Sequence, residues 1–297
     1  MSGFLRTYSA ICAAACCLCV SACGGRAQRL TVGAKNSVEQ TILGEILAQH
    51  LARRFGADSV ARRFGLASTL MAHEALMSGE VDVYPEYSGT ALAGILKIQP
   101  DGAREAVREQ MKESYRTRWK CEWFGPLGFE NGFALVVRNK TAAEEKIRTL
   151  SDASNYEPGW NLLIQQEFQD RADGLPLLMG NYRLKLSAPL RNADTAAMYA
   201  QLEQGKASMV AANTTDAELN SGSFTVLEDD KRAFPPYEAG FVARAATLER
   251  IPGLAEALRS FQGRISAERM KAMNRQAALE RLAPEVVAAR YLKESGL

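Results

Sequence analysis

The sequence predicts an α/β fold with largely parallel sheets, because short apolar strands recur along it, helical patterns follow them, and glycines close the helices. Leu30-Thr31-Val32-Gly33-Ala34 reads as the first buried strand. Lys35-Asn36-Ser37 then leads into a helix from Val38, with Ile42, Ile46, Leu47 and Leu51 recurring on one face. Ser37 is placed as its N-cap, Gln40 as the capping-box partner and Gly56 as the stop. A second helix over Thr69 to Ser78 closes at Gly79 and feeds the strand Val81-Asp82-Val83-Tyr84. Gly132 to Val137 is a strongly apolar strand, and Met198 to Gln204 is helical, closing at Gly205. The apolar run Ser208 to Ala212 ends in polar Asn213-Thr214-Thr215-Asp216, and the chain from about Leu248 to Leu297 reads as several surface helices. Ala-Arg-Arg-Phe-Gly occurs at both Ala52 and Ala61, and is read as coincidence rather than a structural repeat.

The first thirty residues have their own character. Arg6 precedes a short apolar run, Ile11 to Val20, too short for a permanent membrane span and flanked as a cleaved export signal is. Val20-Ser21-Ala22-Cys23 closes the run as a bacterial lipobox would, so residues 1–22 are predicted as the signal peptide. Cys23 becomes the lipidated first residue of the mature chain, and 23–27 form a linker. Beyond it Cys121 stands alone, which excludes an intramolecular disulfide or a cysteine-rich metal site and casts it as a small packed residue.

The 297 residues suffice for one or two domains. A net charge of +2, with both signs interspersed, offers no clustered basic surface for nucleic acid. His50 and His73 sit in helical patterns without metal-ligand spacing, and no nucleophile elbow, phosphate-cradling glycine loop or paired-cysteine motif is present. These absences argue against an enzyme, a cofactor or a metal. Polar and aromatic residues do gather after predicted strands, at Lys35, Tyr87, Thr90 and Thr214, where open α/β sheets bind ligands.

Two blocks carry a family resemblance: Gly33-Ala34-Lys35-Asn36-Ser37-Val38-Glu39-Gln40, and Ser78 to Thr90 with Tyr84-Pro85-Glu86-Tyr87 inside it. Leu127 to Leu135, Arg171 to Pro176, Val226 to Lys231 and Phe234-Pro235-Pro236-Tyr237 extend it in order along most of the chain. The sequence resembles the periplasmic glycine betaine, choline and carnitine binding proteins of osmoprotectant ABC importers, the ProX and OpuC type. The resemblance implies a two-lobed periplasmic binding protein of type II crossed twice by the chain. One lobe comprises residues 28–132 plus 236–297, and the other 133–235. It also implies a monomer, lipid-anchored in the periplasm, whose partners are a small osmolyte, an ABC permease and its ATPase.

Such sites hold a quaternary ammonium among ring faces, because a methylated ammonium has no N–H to donate. By position, Lys35 and Arg171 pair with the ligand carboxylate, Thr90 hydrogen-bonds it, and Tyr87 and Tyr237 form the cage, with Thr214 alongside. Two positions depart from the pattern. Phe133 replaces the usual Tyr and keeps the ring, whereas Asn213 replaces a cage Tyr with an amide that has no ring face. That substitution raises an alternative, the same clamp holding a ligand that is not a quaternary amine. An anchored enzyme or an adaptor is a third reading.

Overall fold

The computed structural model describes residues 29–98 and 103–297, so the predicted signal peptide, Cys23 and its linker lie outside the described residues. Two five-stranded sheets organise the chain. The first has the order β2-β1-β3-β10-β4, built from Leu30–Lys35 (β1), Val60–Leu66 (β2), Val83–Tyr87 (β3), Cys121–Phe124 (β4) and Ala239–Arg244 (β10). The second has the order β7-β6-β8-β5-β9, from Phe133–Arg138 (β5), Leu162–Ile164 (β6), Arg191–Asn192 (β7), Met209–Asn213 (β8) and Phe224–Val226 (β9). Each sheet is mixed rather than largely parallel. β10 runs antiparallel to β3 and β4, and β5 antiparallel to β8 and β9, because the chain re-enters each sheet after crossing from the other.

Both sheets are covered on both faces, giving two apolar clusters apiece. Ile42, Ile46, Leu47 and Leu51 of helix Val38–Phe55 pack on one face of the first sheet, as their spacing predicts. Leu76, Tyr84, Met111 and Trp123 fill the other face. Around the second sheet, Trp160 and Phe168 lie on one side and Met198 and Tyr199 on the other. Cys121 is buried in the first sheet, and burial pushes its thiol up to about 12, which leaves an inert packed side chain. His50 meets Phe261 edge-on and His73 packs against Trp119, so both act as packing residues.

The capping box at the first helix is only half formed. Ser37 Oγ accepts from Gln40 N at 3.3 Å, but the Gln40 side chain turns to Lys35 N. β3 also begins two residues later than predicted and contains Pro85; its pairing with β1 is confined to Val32 and Val83, so no donor is asked of the proline. Ala52–Gly56 ends a helix while Ala61–Gly65 lies in β2, so one pentapeptide takes two conformations according to its packing. No helix among the described residues is long and apolar enough to cross a membrane.

Two segments carry the chain between sheets, 125–132 and 227–238. They pair with each other: Asn131 N donates to Tyr237 O at 3.1 Å and Ala239 N to Phe129 O at 3.1 Å, around a bridge between Glu130 and Glu238. Beside this ribbon, β8 ends in a closed turn. Asn213 N donates to Asp216 Oδ2 at 3.0 Å, Asp216 N returns to Asn213 O at 3.1 Å, and Tyr199 OH reaches the same carboxylate.

Burial pushes the Asp216 carboxyl up to about 7, against the Asn213 N–H that favours the anion, with Glu218 and Glu39 adding repulsion. An acid raised in the folded state binds more protons there than in the unfolded chain, so its contribution to stability falls as pH rises from about 4 to 7. Asp216→Asn keeps the acceptor and removes the titration. Melting temperatures measured from pH 4.5 to 7.5 are predicted to decline less in the variant than in the wild type, by about 5 °C. Parallel profiles would refute this assignment.

Candidate functional site

The strand ends converge on one cavity. Lys35 closes β1, Tyr87 closes β3 and Asn213 closes β8, while Ser68 and Thr69 follow β2 and Gln165 follows β6. All of them line a space of about 170 Å³ together with Thr90, Phe133, Glu167, Arg171 and Tyr237. Residues from both sheets therefore face one another at the carboxyl ends of strands, where the dipoles and loops of open α/β sheets gather ligands. The volume is below that of a drug-sized pocket and suits a small guest.

Each cation is held by a buried carboxylate. Lys35 Nζ lies 2.7 Å from Glu86 Oε1 and 3.2 Å from Thr69 Oγ1, with Glu86 wholly buried beneath it. Arg171 makes a fork with Asp173, Nε to Oδ1 at 2.9 Å and Nη2 to Oδ2 at 2.5 Å. It also reaches Glu167 at 3.0 Å and Thr90 Oγ1 at 3.3 Å. Burial works against the guanidinium charge, but the Asp173 carboxylate outweighs it and holds Arg171 protonated more firmly than usual. A guanidinium has five N–H donors and an ammonium three. The contacts engage four of Arg171 and two of Lys35, leaving each cation one N–H to offer. The pairing also cancels most of the positive charge, so the cavity suits a neutral zwitterion better than a bare anion.

Three rings form the apolar walls. The Tyr237 ring is slotted between two glycines: a Cβ on Gly89 would stand 2.8 Å from one edge carbon and a Cβ on Gly132 2.6 Å from the other. Its hydroxyl donates to Asp173 Oδ2 at 2.8 Å. Phe133 meets Tyr237 edge-on at 5.8 Å between centroids, with the Arg171 guanidinium 4.8 Å from the Phe133 ring. Across the space, Lys35 Nζ lies 5.3 Å from the Tyr87 ring, whose hydroxyl donates to Glu39 Oε1 at 2.5 Å. Burial and the Glu39 charge raise the Tyr87 phenol well above its ordinary value, and burial and Asp173 do the same for Tyr237. Both remain neutral donors. Asn213 pairs in register with Phe133 across β5 and β8, so the amide stands beside the ring on the second-sheet side.

Of the eight predicted binding residues, Lys35, Tyr87, Thr90, Phe133, Arg171, Asn213 and Tyr237 line this cavity together. Thr214 lies outside the lining of this cavity. Alternation along the turn sends its hydroxyl to the crossing segments, where it accepts from Gly132 N at 3.1 Å and faces Glu130 O. Residues that sequence reasoning passed over also line the wall: Ser68, Thr69, Gln165, Glu167 and Gln40, whose buried Nε2 has no hydrogen-bond partner among the described residues. Thr69 and Gln165 follow β2 and β6, two strands that the sequence reading did not predict, so the rule of strand carboxyl ends had nothing to point from.

Comparison with known proteins agrees with this geometry. The chain matches the family model for the substrate-binding domain of ABC-type glycine betaine transport systems over residues 28–294. It is 32% identical over 269 residues to the ergothioneine transport permease/ergothioneine binding protein of Helicobacter pylori, covering 90% of this chain but only 48% of that longer protein. A glycine-betaine-binding protein of Pseudomonas aeruginosa is 31% identical over 94% of each chain. Among solved structures, a glycine betaine/carnitine/choline ABC transporter protein superposes with a TM-score of 0.79 at 25% identity, covering 90% of this chain and 98% of that one. With two mixed sheets joined by paired crossings and a family match along nearly its whole described length, the chain belongs to the substrate-binding domains of ABC-type glycine betaine transport systems.

Proposed function

We propose that this protein is the extracytoplasmic capture subunit of an ABC importer and takes up a zwitterionic quaternary ammonium compound of the glycine betaine type. The observation that carries the reading is the pairing, within one small cavity, of two cations that each keep one N–H and three rings that present apolar walls. A carboxylate takes the spare donors of Lys35 and Arg171, with Thr90 beside them. The methylated nitrogen, which can donate nothing, packs among Tyr87, Phe133 and Tyr237 at up to about 2 kcal/mol per desolvated ring contact. Residues 28–132 with 236–297 form one lobe and 133–235 the other, and the guest stabilises the closed clamp only by its preference for that state. Export and lipidation at Cys23 tether the monomer in the periplasm, where it delivers its cargo to the permease. No step of this reading involves catalysis.

Calorimetry with glycine betaine, carnitine, choline and ergothioneine tests the ligand class, the last because of the Helicobacter relative's name. At least one zwitterion is expected to bind. Choline, lacking a carboxylate, is expected to bind at least tenfold more weakly than that zwitterion, given about 1.5–3 kcal/mol for a charge-assisted hydrogen bond. No heat with any of the four would remove the proposal's basis.

Two substitutions probe the walls separately. Phe133→Leu is predicted to weaken betaine binding about 5- to 30-fold by deleting a ring face. Asn213→Tyr supplies the missing fourth wall and is predicted to strengthen it about fivefold, on the order of 1 kcal/mol. Titrations in which neither variant moves the affinity would show that ring faces do not hold the ligand.

A further inference from the structure

Glu39 is buried, yet among the described residues it has no ion pair. It stands in the first turn of helix Val38–Phe55, whose N-terminus favours an anion. Four neutral donors surround its carboxylate. Tyr87 OH at 2.5 Å and Asn131 Nδ2 at 2.9 Å reach Oε1; Thr215 Oγ1 at 2.6 Å and Asn274 Nδ2 at 2.8 Å reach Oε2. Two oxygens have about four lone-pair sites, so the group is filled.

The donors come from four places in the chain. Tyr87 is a wall of the cavity, Asn131 belongs to the first crossing segment, Asn274 lies in helix Ala267–Ala278, and Thr215 sits in the turn after β8 of the second sheet. Thr215 is gripped twice, since Asn274 Nδ2 also lies 2.8 Å from its carbonyl oxygen. The same turn presents Asn213 to the cavity and Thr214 to the crossing. An isolated buried carboxylate is a poor way to stabilise a core, because an apolar side chain of equal size avoids its desolvation. Its value lies in what it joins.

We propose that Glu39 is a positioning residue whose carboxylate fixes the Tyr87 wall and, through Thr215, latches the second lobe in the closed arrangement. The proposal rests on the cavity being the ligand site. Opening the lobes breaks the Thr215 bonds while Tyr87, Asn131 and Asn274 stay with the first lobe and its crossing. The latch therefore acts on the closed state, with or without a guest, and its loss speeds ligand release more than it slows capture.

Thr215→Val deletes the hydroxyl at nearly constant volume, and Thr215→Ser retains it. Stopped-flow measurement with glycine betaine is expected to give a release rate about 5- to 10-fold faster for the valine variant, with association unchanged within about twofold. The serine variant should behave as wild type. Glu39→Gln should release faster as well. Equal rates in the valine variant and wild type, or equal impairment by valine and serine, would overturn the latch. Small-angle X-ray scattering of ligand-free protein separates this from the ligand assignment. A larger radius of gyration for Thr215→Val than for Thr215→Ser supports the latch even where wild type binds no betaine, and identical radii with no betaine binding overturn it.

Discussion

The cavity depends on Asp173. Its wholly buried carboxylate receives two N–H bonds from Arg171 and the hydroxyl of Tyr237, so one anion orders both a cation and an aromatic wall. Arg171 and Asp173 belong to the second lobe, while Tyr237 lies on the returning crossing segment. The interaction therefore also ties the second sheet's side of the cavity to that crossing. The loop that carries it has no room to spare: a Cβ on Gly174 would stand 2.1 Å from Phe168 O, so only glycine lets the chain fold back behind Asp173. Removing the carboxylate would leave the buried guanidinium with only the exposed Glu167 carboxylate as its counter-charge, a change more costly than the loss of one hydrogen bond.

Glu86 plays the corresponding part in the first lobe. It lies under Lys35 and accepts from Tyr84 OH and Tyr87 N, which explains why Tyr84 is a packed residue and not a wall of the cavity. Two neutralised pairs thus face each other across the space, with rings between them. This arrangement suits a molecule that is charged at both ends yet neutral overall. It also limits nonspecific attraction, because neither cation is free to capture an arbitrary anion. Neither pair spans the two sheets, since Lys35 and Glu86 belong to the first and Arg171 and Asp173 to the side of the second.

Much of this was legible in the sequence. Apolar patterning located the first helix and two strands of each sheet, β1 and β3 in the first and β5 and β8 in the second, and the rule that ligands gather at strand carboxyl ends pointed to Lys35 and Tyr87. Family motifs added Arg171, Phe133, Asn213 and Tyr237. What escaped was set by partners distant in the chain. Nothing local marks Asp173 as the anchor of Tyr237, 64 residues away, or Glu39 as the acceptor for Thr215, 176 residues away. Thr214 illustrates the finer limit: in a turn, one residue decides whether a hydroxyl enters a cavity or braces a hinge. The antiparallel strands were missed for a related reason, because direction follows from where the chain returns rather than from its local pattern.

The most direct test is a crystal structure of the protein grown with glycine betaine. Density is expected in the cavity between the two sheets, with the carboxylate within hydrogen-bond distance of Lys35 and Arg171 and the trimethylammonium group against the Tyr87, Phe133 and Tyr237 rings. Density with the ammonium end at the two cations, or a ligand bound outside this cavity, would contradict this placement.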